Sequence, residues 1–267
     1  MSISKEREEV LKKIREFEQK GDWNKDVEKD PSFKELRPND VDYLCKKVST
    51  KIKRFIANKL AYSYFENQIK KGNLVIKEVK GIENFLSIKG GAFITCNHFS
   101  VMDNYAIYHV TRKYLRRKRL YKVIKEGNYT GFTGMYGLFF KYCNTLPLSS
   151  NFETMKKFYA STDVLLKRGE KILIYPEQSM WWNYRKPRPL KSGAFKFAKK
   201  FNVPIIPTFI TMEDTDRLDG DGAFIQAYTI WFSKPIYPND SPDDMMAKNY
   251  NTWKDIYENF YNQKLKY

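Results

Sequence analysis

His98 and Asp103 stand five positions apart in a short apolar run that ends in a polar turn, Ile94-Thr95-Cys96-Asn97-His98-Phe99-Ser100-Val101-Met102-Asp103. An imidazole beside a carboxylate can take a proton from an alcohol near neutral pH, because the acid sets the tautomer and stabilises the imidazolium that forms. The chain has two histidines, so candidates for such a base are few. Five positions on a regular helix turn through about 500°, which leaves two side chains roughly 140° apart around the axis. The pair can therefore meet only if His98 precedes a helix and Asp103 lies in its first turn. Phe93 to Cys96 reads as a strand end, and Val101 onward reads as helix. The same residues fit a capping box, with Ser100 at N-cap and Asp103 at N3. A lone His near an Asp is more often structural than catalytic, and the two readings are compatible.

The elements around the pair must present it at a strand end. From Leu74 short apolar runs alternate with helix-length segments. Leu74-Ile76, Ala92-Cys96, Tyr121-Ile124, Thr145-Leu148, Ile172-Tyr175 and Ile205-Ile210 read as strands, and Ala223 to Phe232 adds one or two more. Phe152 to Lys167, Gly193 to Phe201 and Met245 to Lys264 read as helices. The alternation predicts an α/β fold, a largely parallel mixed sheet flanked by helices. Residues 1–72 form an N-terminal helical extension and residues 73–267 the main domain. In the extension, Asn39 or Asp40 is the expected cap of a long helix with Val41, Leu44, Cys45, Val48, Ile52, Phe55, Ile56 and Leu60 on one face. That face is expected to pack on the domain, with a membrane interface as the functional alternative.

Ligands in such folds sit where strands end and loops begin. Two predicted strand ends carry polar groups: the His98–Asp103 turn, and Tyr175-Pro176-Glu177-Gln178-Ser179. If the loops converge, Glu177 becomes a candidate for substrate positioning, although a turn or cap role is the commoner use of such a residue.

Composition narrows the partners. Of 267 residues, 42% are hydrophobic and 16% aromatic, which supports a core and argues against disorder. Cys45, Cys96 and Cys143 are odd in number and unpaired in spacing, as in a reducing compartment. Two histidines and scattered cysteines give no metal-ligand spacing, so no metal is implied. The N-terminus lacks the apolar stretch of a signal peptide, and no run is long enough to span a membrane. Net charge is +17, which favours an anionic partner. Arg112 to Lys125 holds eight basic residues and no acid, and the stretch between Glu177 and Glu213 holds seven more and no acid. A basic nucleic-acid-binding protein would share that charge, but no recognisable RNA- or DNA-binding motif is present, and no nucleic-acid partner is expected.

The motifs, taken together, resemble the glycerolipid acyltransferases typified by 1-acylglycerol-3-phosphate acyltransferase. The family's Asn-His-x-x-x-x-Asp block is matched in full by Asn97 to Asp103. Its Phe-Pro-Glu-Gly-Thr-Arg block is matched in part by Tyr175-Pro176-Glu177-Gln178-Ser179-Met180. Its Val-Pro-Ile-x-Pro block is Val203-Pro204-Ile205-Ile206-Pro207, and Lys191-Ser192-Gly193-Ala194-Phe195 is similar to the segment before it. A further block should end in Arg, but Asn144 to Ser150 has none. The resemblance covers roughly Val75 to Trp231. It implies acyl transfer from a thioester of coenzyme A or acyl carrier protein, a co-substrate rather than a cofactor, to a lysolipid hydroxyl. His98 would be the base and Asp103 its partner, with Asn97, Ser100, Glu177, Gln178 and Ser179 at the substrate. The implied acceptor is 1-acylglycerol-3-phosphate, in phospholipid biosynthesis. The two absent arginines are associated in the family with the acceptor's phosphate, which leaves a phosphate-free lipid or other alcohol as the alternative. Arg185, Lys186 and Arg188 are the nearest substitutes. The implied location is cytoplasmic, on the inner face of the cell membrane, against anionic lipid.

Overall fold

Apolar runs become strands because alternate residues can be buried on two opposite faces at once. In the computed structural model, which describes residues 3–29 and 31–267, β1 spans Val75–Lys80, β2 Ala92–Thr95, β3 Leu120–Ile124, β4 Thr145–Pro147, β5 Lys171–Ile174, β6 Ile205–Leu218 and β7 Phe224–Phe232. They form one sheet in the order β1-β7-β6-β2-β5-β3-β4. Every neighbouring pair is parallel except β6 with β7. The fold is thus the expected mixed α/β sheet flanked by helices. β6 runs to Leu218, eight residues beyond the expected end at Ile210. Its outer half is polar and pairs with β7 as a hairpin, so hydrophobic content alone does not mark it.

β2 and β5 lie at the centre and are buried throughout. Phe93 and Ile172 point into one core with Phe158, Leu165, Phe195 and Met245. These come from helices α7 (Phe152–Lys167), α8 (Gly193–Phe201) and α9 (Pro242–Tyr261). Ile94 and Leu173 point the other way, against Tyr105, Ala106, Ile107 and Val110 of α4 (Asp103–Leu115). Each fully buried aromatic or aliphatic side chain contributes about 1.5–3 kcal/mol, so the central strands are the best-anchored part of the sheet. Local signals start the helices. The Asn151 side chain accepts from Thr154 N to open α7, and Ser241 accepts from Asp244 N with Pro242 behind it to open α9.

The N-terminal extension departs from its expected form. It holds α1 (Lys5–Lys20) and α2 (Val48–Lys70), joined by an irregular strap rather than by more helix. α2 starts well after Asn39 and Asp40. Cys45 takes a positive φ of 52°, which breaks the chain there, and the Asp42 carboxylate accepts from Lys46 N and Lys47 N instead. The apolar face packs as expected only at its start, where Val41 and Leu44 join the core and Cys45 is buried. Val48, Ile52, Phe55, Ile56 and Leu60 are exposed. α2 instead rests Ala57, Ala61, Tyr64 and Phe65 on α6 (Gly134–Tyr142) through Phe139 and Cys143. The other short helices are α3 (Ile82–Ser87) and α5 (Glu126–Gly131).

Gly91 sets how closely β2 approaches α7. A Cβ there would stand 2.3 Å from the carbonyl oxygen of Leu166 and 2.7 Å from its Cα. Backbone cannot yield as a side chain tip can. Gly91→Ala should destabilise the fold by about 2–3 kcal/mol, the range for overpacking a tight interior. Urea denaturation monitored by tryptophan fluorescence measures it, and an unchanged midpoint would refute the close approach.

Candidate active site

The parallel register of β2 with β5 pairs Thr95 with Ile174, and Cys96 N donates to Ile174 O just beyond. Both chains then leave the sheet together, which brings the His98 turn against the loop that starts at Tyr175. His98 Nδ1 meets Asp103 Oδ2 at 2.8 Å. Asp103 is the first residue of α4, so the geometry demanded by the five-residue spacing is met. A carboxylate accepts only, so Nδ1 carries a proton, and in the neutral imidazole the lone pair lies on Nε2. Among the described residues Nε2 has no hydrogen-bond partner, and the His98 side chain is 21% exposed.

Asp103 itself has no exposed surface. Its Oδ2 also accepts from Phe99 N at 3.2 Å and Ser100 N at 3.3 Å. Its Oδ1 accepts from the Tyr175 hydroxyl at 2.6 Å. A buried carboxylate is tolerable only when donors replace water, and four donors do so here. The capping box appears in altered form. The Asp103 half is present, but Ser100 Oγ accepts from Met102 N at 3.1 Å, one residue before the helix. Ser100 is buried and tightens the turn; the N-cap is Met102 and not Ser100 as expected.

Asn97 is also absorbed into the scaffold. Its side-chain amide donates to Ile210 O at 3.0 Å and accepts from Ile210 N at 2.8 Å. The side chain copies a backbone ladder step, tying the end of β2 to β6. Both polar atoms of the side chain are thus engaged by the sheet rather than turned to a substrate in this structure.

Glu177 lies beside His98, as convergence of the two loops requires. Its hydrogen bonds all turn inward. Oε2 accepts from His98 N at 3.1 Å and from Arg188 Nη2 at 3.1 Å, and Oε1 accepts from Arg188 N at 2.8 Å. The two side chains are 2% and 1% exposed. Glu177 thus holds the main chain of His98, and Trp181 N donates to His98 O from the same loop. It does not offer a free carboxylate to an acceptor hydroxyl.

The basic trio suggested for a phosphate is engaged within the protein. Arg188 is buried, donating also to Ser179 O and Trp23 O and stacked on Trp181. Arg185 bonds Asp214 at 2.6 Å and Gln226 at 3.1 Å. Lys186 pairs with Glu18 and with Lys266 O. Ser179 Oγ donates to Asn24 O, and Trp181 Nε1 to Lys25 O. The strap between α1 and α2 thus covers this loop, and α1 adds Val10, Ile14 and Phe17 against Trp181. Trp181 is fully buried. Gln178 remains exposed at the mouth of the turn, with φ at 67°.

Tyr175 is the member that sequence reasoning passed over. Its ring stacks on His98 with centroids 4.0 Å apart and planes 18° apart. The available signal was a phenol at the first position of a block where the family has Phe. Burial, then the Asp103 charge, hold its hydroxyl well above the ordinary tyrosine range. Burial likewise pushes the Cys96 thiol up, with Asp103 adding to it, so Cys96, just past the end of β2, is a buried packing residue. Among the described residues, no cluster of three His, Cys, Asp or Glu side chains could hold a metal ion.

The sequence model of the family described as Acyltransferase matches residues 77–211. No curated protein matches the chain. Among solved structures, the fold is similar to that of the 1-acyl-sn-glycerophosphate (LPA) acyltransferase PlsC from Thermotoga maritima. The two share 16% identity with a TM-score of 0.56, over 84% of this chain and 87% of that one.

Two substitutions test the local account. Asn97→Ala leaves both polar groups of Ile210 without partners in the core and should cost about 2–6 kcal/mol, on the order of 1–3 for each orphaned group. Equilibrium unfolding measures it, and a loss under 1 kcal/mol would show that the amide does not bridge the strands. Gln178→Gly should raise stability by about 1 kcal/mol, because glycine takes a left-handed φ without the Cβ clash. A lower melting temperature for this variant would count against the assigned turn.

Proposed function

The chain belongs to the acyltransferase family, and from that premise we propose that it moves a fatty acyl group from a thioester to the hydroxyl of a lysolipid at an anionic membrane surface. The observation that carries the reading is the His98 Nδ1–Asp103 Oδ2 bond at 2.8 Å, with Nε2 left to meet a substrate. In the proposed reaction Nε2 takes the proton of the acceptor hydroxyl as its oxygen attacks the thioester carbonyl carbon. The tetrahedral intermediate then expels the thiolate of coenzyme A or acyl carrier protein. The imidazolium returns the proton to that sulfur, leaving an ester and a free thiol. Asp103 stabilises the imidazolium between the two steps. No protein nucleophile takes part, since donor and acceptor are held side by side.

The first acceptor to try is 1-acylglycerol-3-phosphate, by analogy with the substrate in the name of the Thermotoga enzyme. A phosphate-free lipid alcohol is the second, and one observation favours it: Arg185, Lys186 and Arg188 all have partners inside the protein. Membrane attachment rests on α2. Val48, Ile52, Phe55, Ile56 and Leu60 recur at helical spacing and are exposed, with Lys47, Lys51, Lys53, Arg54 and Lys59 among them. An apolar stripe set among basic residues suits the headgroup boundary of a bilayer. No helix of the described residues is long and apolar enough to cross one.

Labelled acyl-coenzyme A and acyl carrier protein, offered with a panel of lysolipids and lipid alcohols, should yield a labelled diacyl or ester product. His98→Ala and Asp103→Asn should each lower turnover about 10²–10⁴-fold, the usual worth of a general base, while circular dichroism stays native. Wild-type turnover by His98→Ala would end the mechanism. Binding to anionic vesicles should weaken as salt rises, since basic groups near such a surface contribute about 1 kcal/mol each and are screened. Replacing Ile52, Phe55 and Leu60 with Ser should weaken it further. Equal sedimentation with neutral and anionic vesicles at all salts would remove the electrostatic account, and tight preference for nucleic acid would support the non-enzymatic alternative.

A further inference from the structure

Tyr175 contacts both members of the His98–Asp103 pair. Its hydroxyl supplies a donor to Asp103 Oδ1, while Oδ2 carries the three bonds from His98 Nδ1, Phe99 N and Ser100 N. Asp103 has no exposed surface, so without that hydroxyl Oδ1 would lack a partner. The ring of Tyr175 lies nearly parallel to the imidazole at 4.0 Å. The face of a phenol ring is electron-rich, so a cation over it is stabilised. One side chain therefore fixes the carboxylate through its oxygen and supports the charged imidazole through its face.

We propose that Tyr175 is a positioning residue of the transfer reaction, holding the Asp103 carboxylate and the His98 ring in one rigid unit. Nε2 is then aimed at the acceptor hydroxyl with the proton kept on Nδ1. This rests on the reading of His98 as the base. The phenol remains a donor throughout the working range, because burial and then Asp103 keep it protonated. Other titratable groups surround the unit: the Cys96 thiol lies just past the end of β2, Glu177 reaches His98 N from the same loop as Tyr175, and the buried Tyr228 on β7 lies near Asp103 and Ser100. Tyr175 alone among these tyrosines donates to the carboxylate among the described residues.

Tyr175→Phe removes one oxygen and keeps the ring, whereas Tyr175→Leu removes both contacts. Tyr175→Phe should lower kcat about tenfold, the effect of one hydrogen bond to a charged group, with KM for donor and acceptor within about twofold of wild type. Tyr175→Leu should lose about another tenfold with the ring face. The second readout is nitrogen-15 NMR of the imidazoles. The two histidines make the spectrum simple, and His109, whose Nδ1 meets Glu66 at 2.7 Å, is an internal reference. In Tyr175→Phe the His98 signals should move toward mixed tautomers while those of His109 stay fixed. A purely structural role would alter melting without that selective change. Unchanged kcat, or unchanged His98 signals in a folded Tyr175→Phe protein, would overturn the proposal. If Tyr175→Phe fails to fold, 3-fluorotyrosine at position 175 keeps the shape and strengthens the donor, and His98 signals that do not respond overturn it equally. Should the wild type transfer no acyl group to any acceptor, the functional reading fails, and the NMR comparison still decides whether Tyr175 sets the ring.

Discussion

A carboxylate shut away from water is the constraint on which the site depends. Asp103 has no exposed surface, and an unpartnered charge in such a place is expensive enough to refold its surroundings or to neutralise itself. Its donors come from three places: the imidazole, two backbone N–H groups of the turn, and a phenol at the end of a different strand. They coincide because β2 and β5 are adjacent, parallel and in register up to their last residues. A slip of one residue would turn each side chain to the opposite face and leave the acid without its phenol. The register in turn is held by the large apolar cores on both faces of those strands.

A second buried charge closes the site from below. Glu177 and Arg188 are both withdrawn from solvent and satisfy each other through side chain and main chain. Such a pair adds little net stability over well-packed apolar residues, but loss of one partner typically costs about 3–5 kcal/mol. Its value here is geometric. The same carboxylate that balances Arg188 also receives His98 N, so the imidazole's own backbone is tied to the interior of the neighbouring loop. The helix and strap at the N-terminus finish that loop, covering it with the carbonyls of Trp23, Asn24 and Lys25.

What could be read in the residues beforehand follows from how local each cause is. α7 and α8 have the expected limits because their signals are local: the Asn151 cap opens α7, the left-handed Asn202 ends α8, and the apolar spacing lies within each segment. The His98–Asp103 contact was legible for the same reason, since the two residues are only a turn apart. The tasks of Asn97, Glu177 and Arg188 were not, because their partners lie far along the chain: Asn97 finds Ile210, and Arg188 finds Trp23. A polar residue in a family motif reads as substrate-facing until its partner is known. α2 shows the converse. Its apolar stripe was expected to be covered, but the smaller Ala57 and Ala61 side gives the closer fit to α6, and the bulky side is left outside. Gln178 is a third kind of case, in which a left-handed turn accepts a side chain where glycine would fit more easily.

The strap has a consequence for the order of events during synthesis. Asn24 and Lys25 bond to Ser179 and Trp181, residues 155 and 156 positions later, and Trp23 to Arg188 across 165. At roughly 5–20 residues per second on the ribosome, those partners emerge about 10–30 s after the strap does. Throughout that interval Val10, Ile14 and Phe17 have no Trp181 to pack against, and the amino-terminal part of the nascent chain waits with an apolar helix face bare. Long-range closure of this kind is slow in itself, because loop entropy must be lost before any contact forms. The loop that holds the His98 main chain is therefore finished late, after the central strands have emerged, and α1 and the strap are among the last elements to find their place.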